Sequence, residues 1–164
     1  GINKRLAMYV ISKDQDNHFV NTNDTVKNNL KTWLNKNKML TDNIDVFDAR
    51  IINIGFNYSY TVESGYSKTQ VAAAVSQAVR NLLSEKQYIG EPIYITKLYQ
   101  TINRVQGVVD TLQVKAIMKQ TANYSNLGLE VDDILSKDGT YLNCPKNCVF
   151  EIKFPNEDLK GTVL

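Results

Sequence analysis

Between residues 51 and 62 the chain alternates almost without fault. Ile52, Ile54, Phe56, Tyr58, Tyr60 and Val62 share one side, and Asn53, Gly55, Asn57, Ser59 and Thr61 share the other. Successive side chains of a strand point to opposite faces, so the segment reads as a strand with one apolar and one polar face. That pattern fits an antiparallel sheet covered on one side only. At twelve residues the strand exceeds the usual ~5–6. Its polar face is either wet or meets another subunit.

The next residues supply the cover. Ser67-Lys68-Thr69-Gln70 fits a capping box, in which a serine and a glutamine satisfy free amides at a helix start. Val71, Val75, Ala78, Val79, Leu82 and Leu83 then form an apolar stripe over a helix of residues 67–85. Gly90 and Pro92 punctuate its end. Thr96 is a plausible cap for a short second helix with Leu98, Ile102 and Val105 inside. Gly107 permits a tight reversal into a strand over residues 108–118. Leu112, Val114, Ala116 and Met118 share a face there, with Asp110 on the same face near the start. This β-α-α-β block carries no catalytic cluster.

Around it the signals are weaker. Residues 6–11 read as a strand buried on both faces or as the end of a longer element. Residues 13–21 read as a surface loop, with His18 as a solvated loop residue. A helix over residues 24–38 places Val26, Leu30, Trp33 and Leu34 on one stripe, which puts Trp33 in the core. Thr22, Asn23 or Asp24 can cap it. Its lysines, Lys27, Lys31, Lys36 and Lys38, read as a solvated face. Asp42, Asp45 and Asp48 fall on an expected exposed connector. They lack the mid-loop glycine and closing glutamate of a calcium loop. Residues 121–128 read as loop and 129–135 as strand or short helix, with Asp132 and Asp133 at the surface. Lys137-Asp138-Gly139 is a hairpin-type turn signal. Two strands, 140–142 and 149–154, are expected around the turn flanked by Cys144 and Cys148. Residues 159–164 read as an edge strand or an interaction tail.

Composition removes several classes of function. Nineteen basic and seventeen acidic residues leave a formal charge of +2, which offers no concentrated basic face for nucleic acid. No apolar run approaches the roughly 18 residues of a membrane span. Two cysteines are few for a disulfide-stapled domain, and with one histidine distant in sequence they make a poor zinc set. Both read as reduced thiols beside a turn. No glycine-rich phosphate loop, G-x-S-x-G, H-E-x-x-H or C-x-x-C occurs. The expectation is of no enzyme, with catalytic, cofactor-binding and metal-binding residues all none. The start Gly1-Ile2-Asn3, without an initiator methionine, reads as an internal start in a longer protein.

Several motifs in order resemble a known family. They are Met39-Leu40-Thr41-Asp42 before the long strand, Gly65-Tyr66-Ser67-Lys68 opening the helix, and the run from Gly90-Glu91-Pro92 to Thr96-Lys97-Leu98. Arg104-Val105-Gln106-Gly107-Val108 enters the second strand, and Phe150-Glu151-Ile152-Lys153-Phe154-Pro155 lies near the end. From Val26 to about Met118 the chain resembles the C-terminal part of phage baseplate wedge proteins of the baseplate J-like type, from contractile tails. The resemblance implies a virion structural protein assembled in the host cytoplasm. In that family copies pair within each wedge, join other wedge proteins and link wedges into a ring around the hub. No catalytic residue carries over. Whole wedge proteins are much larger than this chain.

The expected fold is α+β. It has a mainly antiparallel sheet with helices on one face, in the order β-α-β-α-α-β of a ferredoxin-like arrangement, plus a C-terminal β extension. The expected division is a core of residues 1–119 and an extension of residues 120–164. Asn53, Asn57, Ser59 and Thr61 on the polar strand face, with Tyr141 near the tail, are the interface candidates. Expected partners are a second copy and other wedge proteins, with no nucleic acid and no membrane. The alternative is a ferredoxin-like small-ligand or RNA-binding module.

Overall fold

A computed structural model describes residues 4–37 and 42–164. The expected internal start at Gly1, Lys38 and the motif residues Met39 to Thr41 lie outside the described residues. The fold is mixed α and β, with five helices and ten strands among the described residues. It divides into two compact units, residues 1–50 and residues 51–164. The expected division at 119/120 differs because the last strands belong to the sheet of the second unit.

The first unit begins with β1 (Lys4–Val10), followed by the short strands β2 (Ser12–Lys13) and β3 (Phe19–Val20). α1 (Asp24–Lys36) and β4 (Asp42–Asp48) complete it. β1 pairs with β4 in parallel, Leu6 opposite Ile44 and Tyr9 opposite Phe47. α1 is the crossover that a parallel pair requires. Asn23 caps it, accepting from the Thr25 N–H at 2.7 Å. β1 is not buried on both faces, and its first four residues are exposed. A strand in a sheet of two has too little around it to be buried. No side chain of α1 is fully buried among the described residues. Trp33, expected in the core, is 62% exposed. The connector expected around Asp45 and Asp48 is strand β4, and these acids answer the lysines. Lys31 meets Asp45 at 3.1 Å, and Lys27 meets Asp48 at 2.7 Å. Asp48 first, through its hydrogen bond, and then Asp24 raise the Lys27 pKa.

The second unit is built on β5 (Arg50–Val62). Then come α2 (Lys68–Leu83), β6 (Ile93–Tyr94), α3 (Ile95–Asn103) and β7 (Val108–Met118). α4 (Val131–Ile134), β8 (Tyr141–Leu142), β9 (Cys148–Glu151), α5 (Pro155–Asp158) and β10 (Leu159–Val163) follow. β5 is the centre of a four-stranded sheet: β7 pairs with it antiparallel, β10 parallel, and β9 also pairs with it. The two strands expected around the turn between Cys144 and Cys148 do not pair with each other: β8 pairs with β6, and β9 with β5. β1 likewise stays outside the β5 sheet.

Ile52, Ile54, Phe56, Tyr58 and Tyr60 are all buried, as the alternation requires. They meet Val71, Val75 and Val79 of α2 and Ile95, Leu98 and Ile102 of α3 in one core cluster. Burying such side chains contributes about 1.5–3 kcal/mol each. Ser67 caps α2, its Oγ accepting from the Gln70 N–H at 3.4 Å. Thr96 does not cap α3. The Thr140 carbonyl accepts from the Ile95 and Thr96 amides at 2.9 and 3.3 Å, serving as a backbone cap from a distant turn. Gly107 has φ +91°, and a Cβ there would lie 2.8 Å from Tyr66 and Val71 side-chain atoms.

β7 departs from its expected alternation. Ser59 faces Gln113 and Tyr60 faces Thr111, so Leu112 has no opposite number. A second shift, between Thr61 and Val62, skips Val109. Such bulges insert an extra residue into one strand and reverse the facing beyond it. Thr111 therefore enters the core, its Oγ1 donating to Asn103 Oδ1 at 2.5 Å. Leu112, expected inside, is 52% exposed, and Asp110 is exposed beside Thr61.

Candidate interaction surface

The polar face of β5 has two halves with different fates. Asn53 is only 3% exposed. Its Nδ2 donates to Glu151 Oε1 at 2.9 Å, and its Oδ1 accepts from the Ser125 N–H at 2.8 Å. Asn53 is thus a buried clamp and not an interface residue. The chain covers this end of the face itself. Gly55 sits where a Cβ would come within 2.5 Å of the Asp158 carbonyl oxygen. Asp158 is 1% exposed. Its carboxylate accepts from the Tyr124 hydroxyl at 2.6 Å and from the Phe154 N–H at 2.9 Å, with Lys119 Nζ at 3.7 Å. Burial first, and this carboxylate second, push the Tyr124 hydroxyl pKa up. The buried charge is therefore paired and hydrogen-bonded, as burial demands.

The other half of the face is open. Asn57 is exposed, and Ser59 and Thr61 are half-buried. The register extends their rows into both neighbouring strands. Lys160, Asn57 and Lys115 form one row, and Thr162, Ser59 and Gln113 the next. The four flanking residues of β7 and β10 are exposed. Thr61 and Asp110 continue it, and the bulge residues Leu112 and Val109 are exposed beside these rows. Asn57, Ser59 and Thr61 are thus brought together on a three-stranded platform, while Tyr141 is placed elsewhere. Tyr141 is exposed on β8, its ring centroid 5.8 Å from that of Tyr94. Sequence reasoning missed Val109 and Leu112, because alternation cannot reveal where a bulge interrupts it.

Other polar groups have local duties. Asp14, Asp16 and His18 bring ligand-type atoms within 4.8 Å of one another. Asp14 Oδ1 accepts from the Asp16 and His18 amides at 2.9 Å each, so the tight turn accounts for their convergence. Asp133 accepts from the Glu130 N–H at 2.8 Å, closing the cap of α4. Cys144 and Cys148 are buried thiols with no disulfide between them. Burial pushes the Cys144 thiol up to about 11, which keeps it protonated and unreactive near neutral pH.

These features define a mixed α/β protein with a polar sheet platform and exposed apolar residues beside it. The sequence matches no protein-family model, and no curated protein matches it. Among the described residues no helix is long and apolar enough to cross a membrane.

Proposed function

We propose that this chain is a structural component of a contractile phage tail baseplate, a wedge subunit that links neighbouring wedge proteins into a ring around the hub. It works in the virion, pairs with a second copy and holds other wedge proteins in fixed geometry. The observation that carries the reading is the open half of the β5 face. Three strands present Asn57, Ser59 and Thr61 of β5, Gln113 and Lys115 of β7, and Lys160 and Thr162 of β10 on a platform backed by a packed core, with Val109 and Leu112 exposed beside it. Protein interfaces join polar groups to a few apolar anchors in this way. The order of family-like motifs along the sequence adds to it. The ferredoxin-like reading of the fold rests on the β5–α2–α3–β7 core, where two helices cover one face of an antiparallel pair.

The alternative, an RNA-binding or small-ligand module, would use the sheet face differently. RNA-binding sheets stack bases on exposed aromatics. Here Phe56, Tyr58 and Tyr60 face the core, which favours the mechanical reading. Cross-linking with candidate tail proteins tests it. Cross-links should gather on β5, β7 and β10, and Asn57→Arg with Ser59→Arg should abolish them while the fold persists. Tyrosine quenching by single-stranded RNA at low salt, without any cross-link to tail proteins, would favour the alternative.

A further inference from the structure

In the order β10-β5-β7 the outer strands are β10 and β7, and their edges are unlike. Bulges break the register of β7, and Val114 donates its N–H to the Tyr99 hydroxyl at 3.0 Å. Such devices keep an edge from pairing with another chain. β10 has no bulge, and its register with β5 runs unbroken from Leu159 to Val163. One bond fixes which way its backbone groups point. Leu164 donates its N–H to the Tyr60 carbonyl at 3.0 Å. Backbone groups alternate in direction along a paired strand, so Thr162 and Lys160 also turn to β5. Leu159, Gly161 and Val163 point away from it. The Leu159 N–H returns to the Pro155 carbonyl, which leaves the Leu159 carbonyl and both groups of Gly161 and Val163. Among the described residues no partner reaches these groups. Gly161 is exposed, and in a residue without a side chain that exposure belongs to the backbone. A Cβ there would lie 2.5 Å from the Tyr58 ring, so the edge is flat at this point. The helix layer is equally slight. α2 packs on β10, and Ser76 hydrogen-bonds the hydroxyl of the same Tyr58. Ala72 lies one turn before Ser76 on that flank.

We propose that two copies of this chain join edge to edge through β10, antiparallel about a two-fold axis at Gly161. In this register the strand complements itself. Gly161 exchanges both bonds with the partner's Gly161, and each Val163 N–H donates to the partner's Leu159 carbonyl. Lys160 comes opposite the partner's Thr162, so the strand's charge does not face its twin, which would be destabilising. Glycine in the sheet and Ala72 and Ser76 in the helix let both layers approach closely. The axis stands perpendicular to the sheet, so the two polar platforms lie on one face. The guarded β7 edges end the joined sheet on either side, which closes the assembly at two copies. A strand of another protein would find the same bonds without this match of register. The inference rests on the proposed function only for the pairing with a second copy.

The test is analytical ultracentrifugation of the full chain and its variants. The wild type should sediment as a dimer. Val163→Pro removes an outward N–H that β5 does not use, a place where an edge strand tolerates proline. It should weaken the dimer at least about tenfold. Asn57→Arg with Ser59→Arg alters the platform and should leave the dimer intact. Lys160→Cys with Thr162→Cys brings thiols opposite each other across the axis, in a non-hydrogen-bonded pair with Cα atoms ~4.5 Å apart. Diamide should oxidise them to a covalent dimer, and Lys160→Cys alone should give none. If Val163→Pro fails to fold, the cysteine pair decides. A monomer at every concentration overturns the inference. So does a dimer that Val163→Pro leaves intact, or a folded cysteine pair that gives no covalent dimer. A dimer lost in the platform variant alone overturns this inference and leaves the baseplate reading standing. A β10 dimer that binds no tail protein does the reverse.

Discussion

Residues on one face of one strand have unlike roles here, and substitution should separate them. Asn53→Ala removes the buried hydrogen bonds to the Ser125 amide and the Glu151 carboxylate, and should cost about 1–3 kcal/mol in urea unfolding. Asn57→Ala, four residues on and exposed, should stay within about 0.5 kcal/mol. Equal costs would contradict the divided face. Sequence placed both residues correctly on the polar side of β5. It could not show that residues near 125 and 158 return to cover one end, since that contact joins distant segments. Cys144 makes a pH prediction. Its folded thiol ionises near 11, above the ordinary 9.0. Below 9.0 both folded and unfolded thiols are neutral and its contribution is fully present. As pH rises through the folded value the unfolded chain ionises first, and that contribution is lost. The urea midpoint of wild type should fall relative to Cys144→Ala across that interval, and parallel curves would contradict the assignment.

At the scale of elements, periodicity was a good guide wherever a long apolar face meets a core. β5, α2, α3 and β7 fall close to where their patterns place them. Errors came where short-range pattern competes with neighbours. Three aspartates in seven residues hid β4, since aspartate is depleted in strands, yet Lys27 and Lys31 make those positions favourable. α1 has a proper stripe, but it packs on a sheet of two strands, so Val26 and Trp33 stay exposed. The bulges in β7 turned Leu112 outward. Leu112→Ala should therefore change stability by no more than about 0.5 kcal/mol, whereas Leu98→Ala, fully buried on α3, should cost about 2–5 kcal/mol. Gly107→Ala, strained at positive φ and crowded by Tyr66 and Val71, should cost about 1–3 kcal/mol. Chemical unfolding of the three variants together checks the placement of the core against the bulge.

For the whole molecule, the C-terminal strands are the largest difference between expectation and structure. Residues 120–164 were expected as an extension, yet β9 and β10 pair with β5. β10 runs parallel to it, with Leu159 opposite Phe56 and Val163 opposite Tyr60. A parallel partner arrives from far along the sequence, and no local turn signal announces it. This matters for the proposed role, because β10 contributes Lys160 and Thr162 to the platform that a partner would meet. Multi-angle light scattering of the purified chain, alone and mixed with baseplate proteins of contractile tails, tests that role most directly. A wedge subunit gives a dimer alone and a larger, defined complex with at least one wedge protein. A monomer at every concentration, indifferent to every tail protein offered, would contradict it.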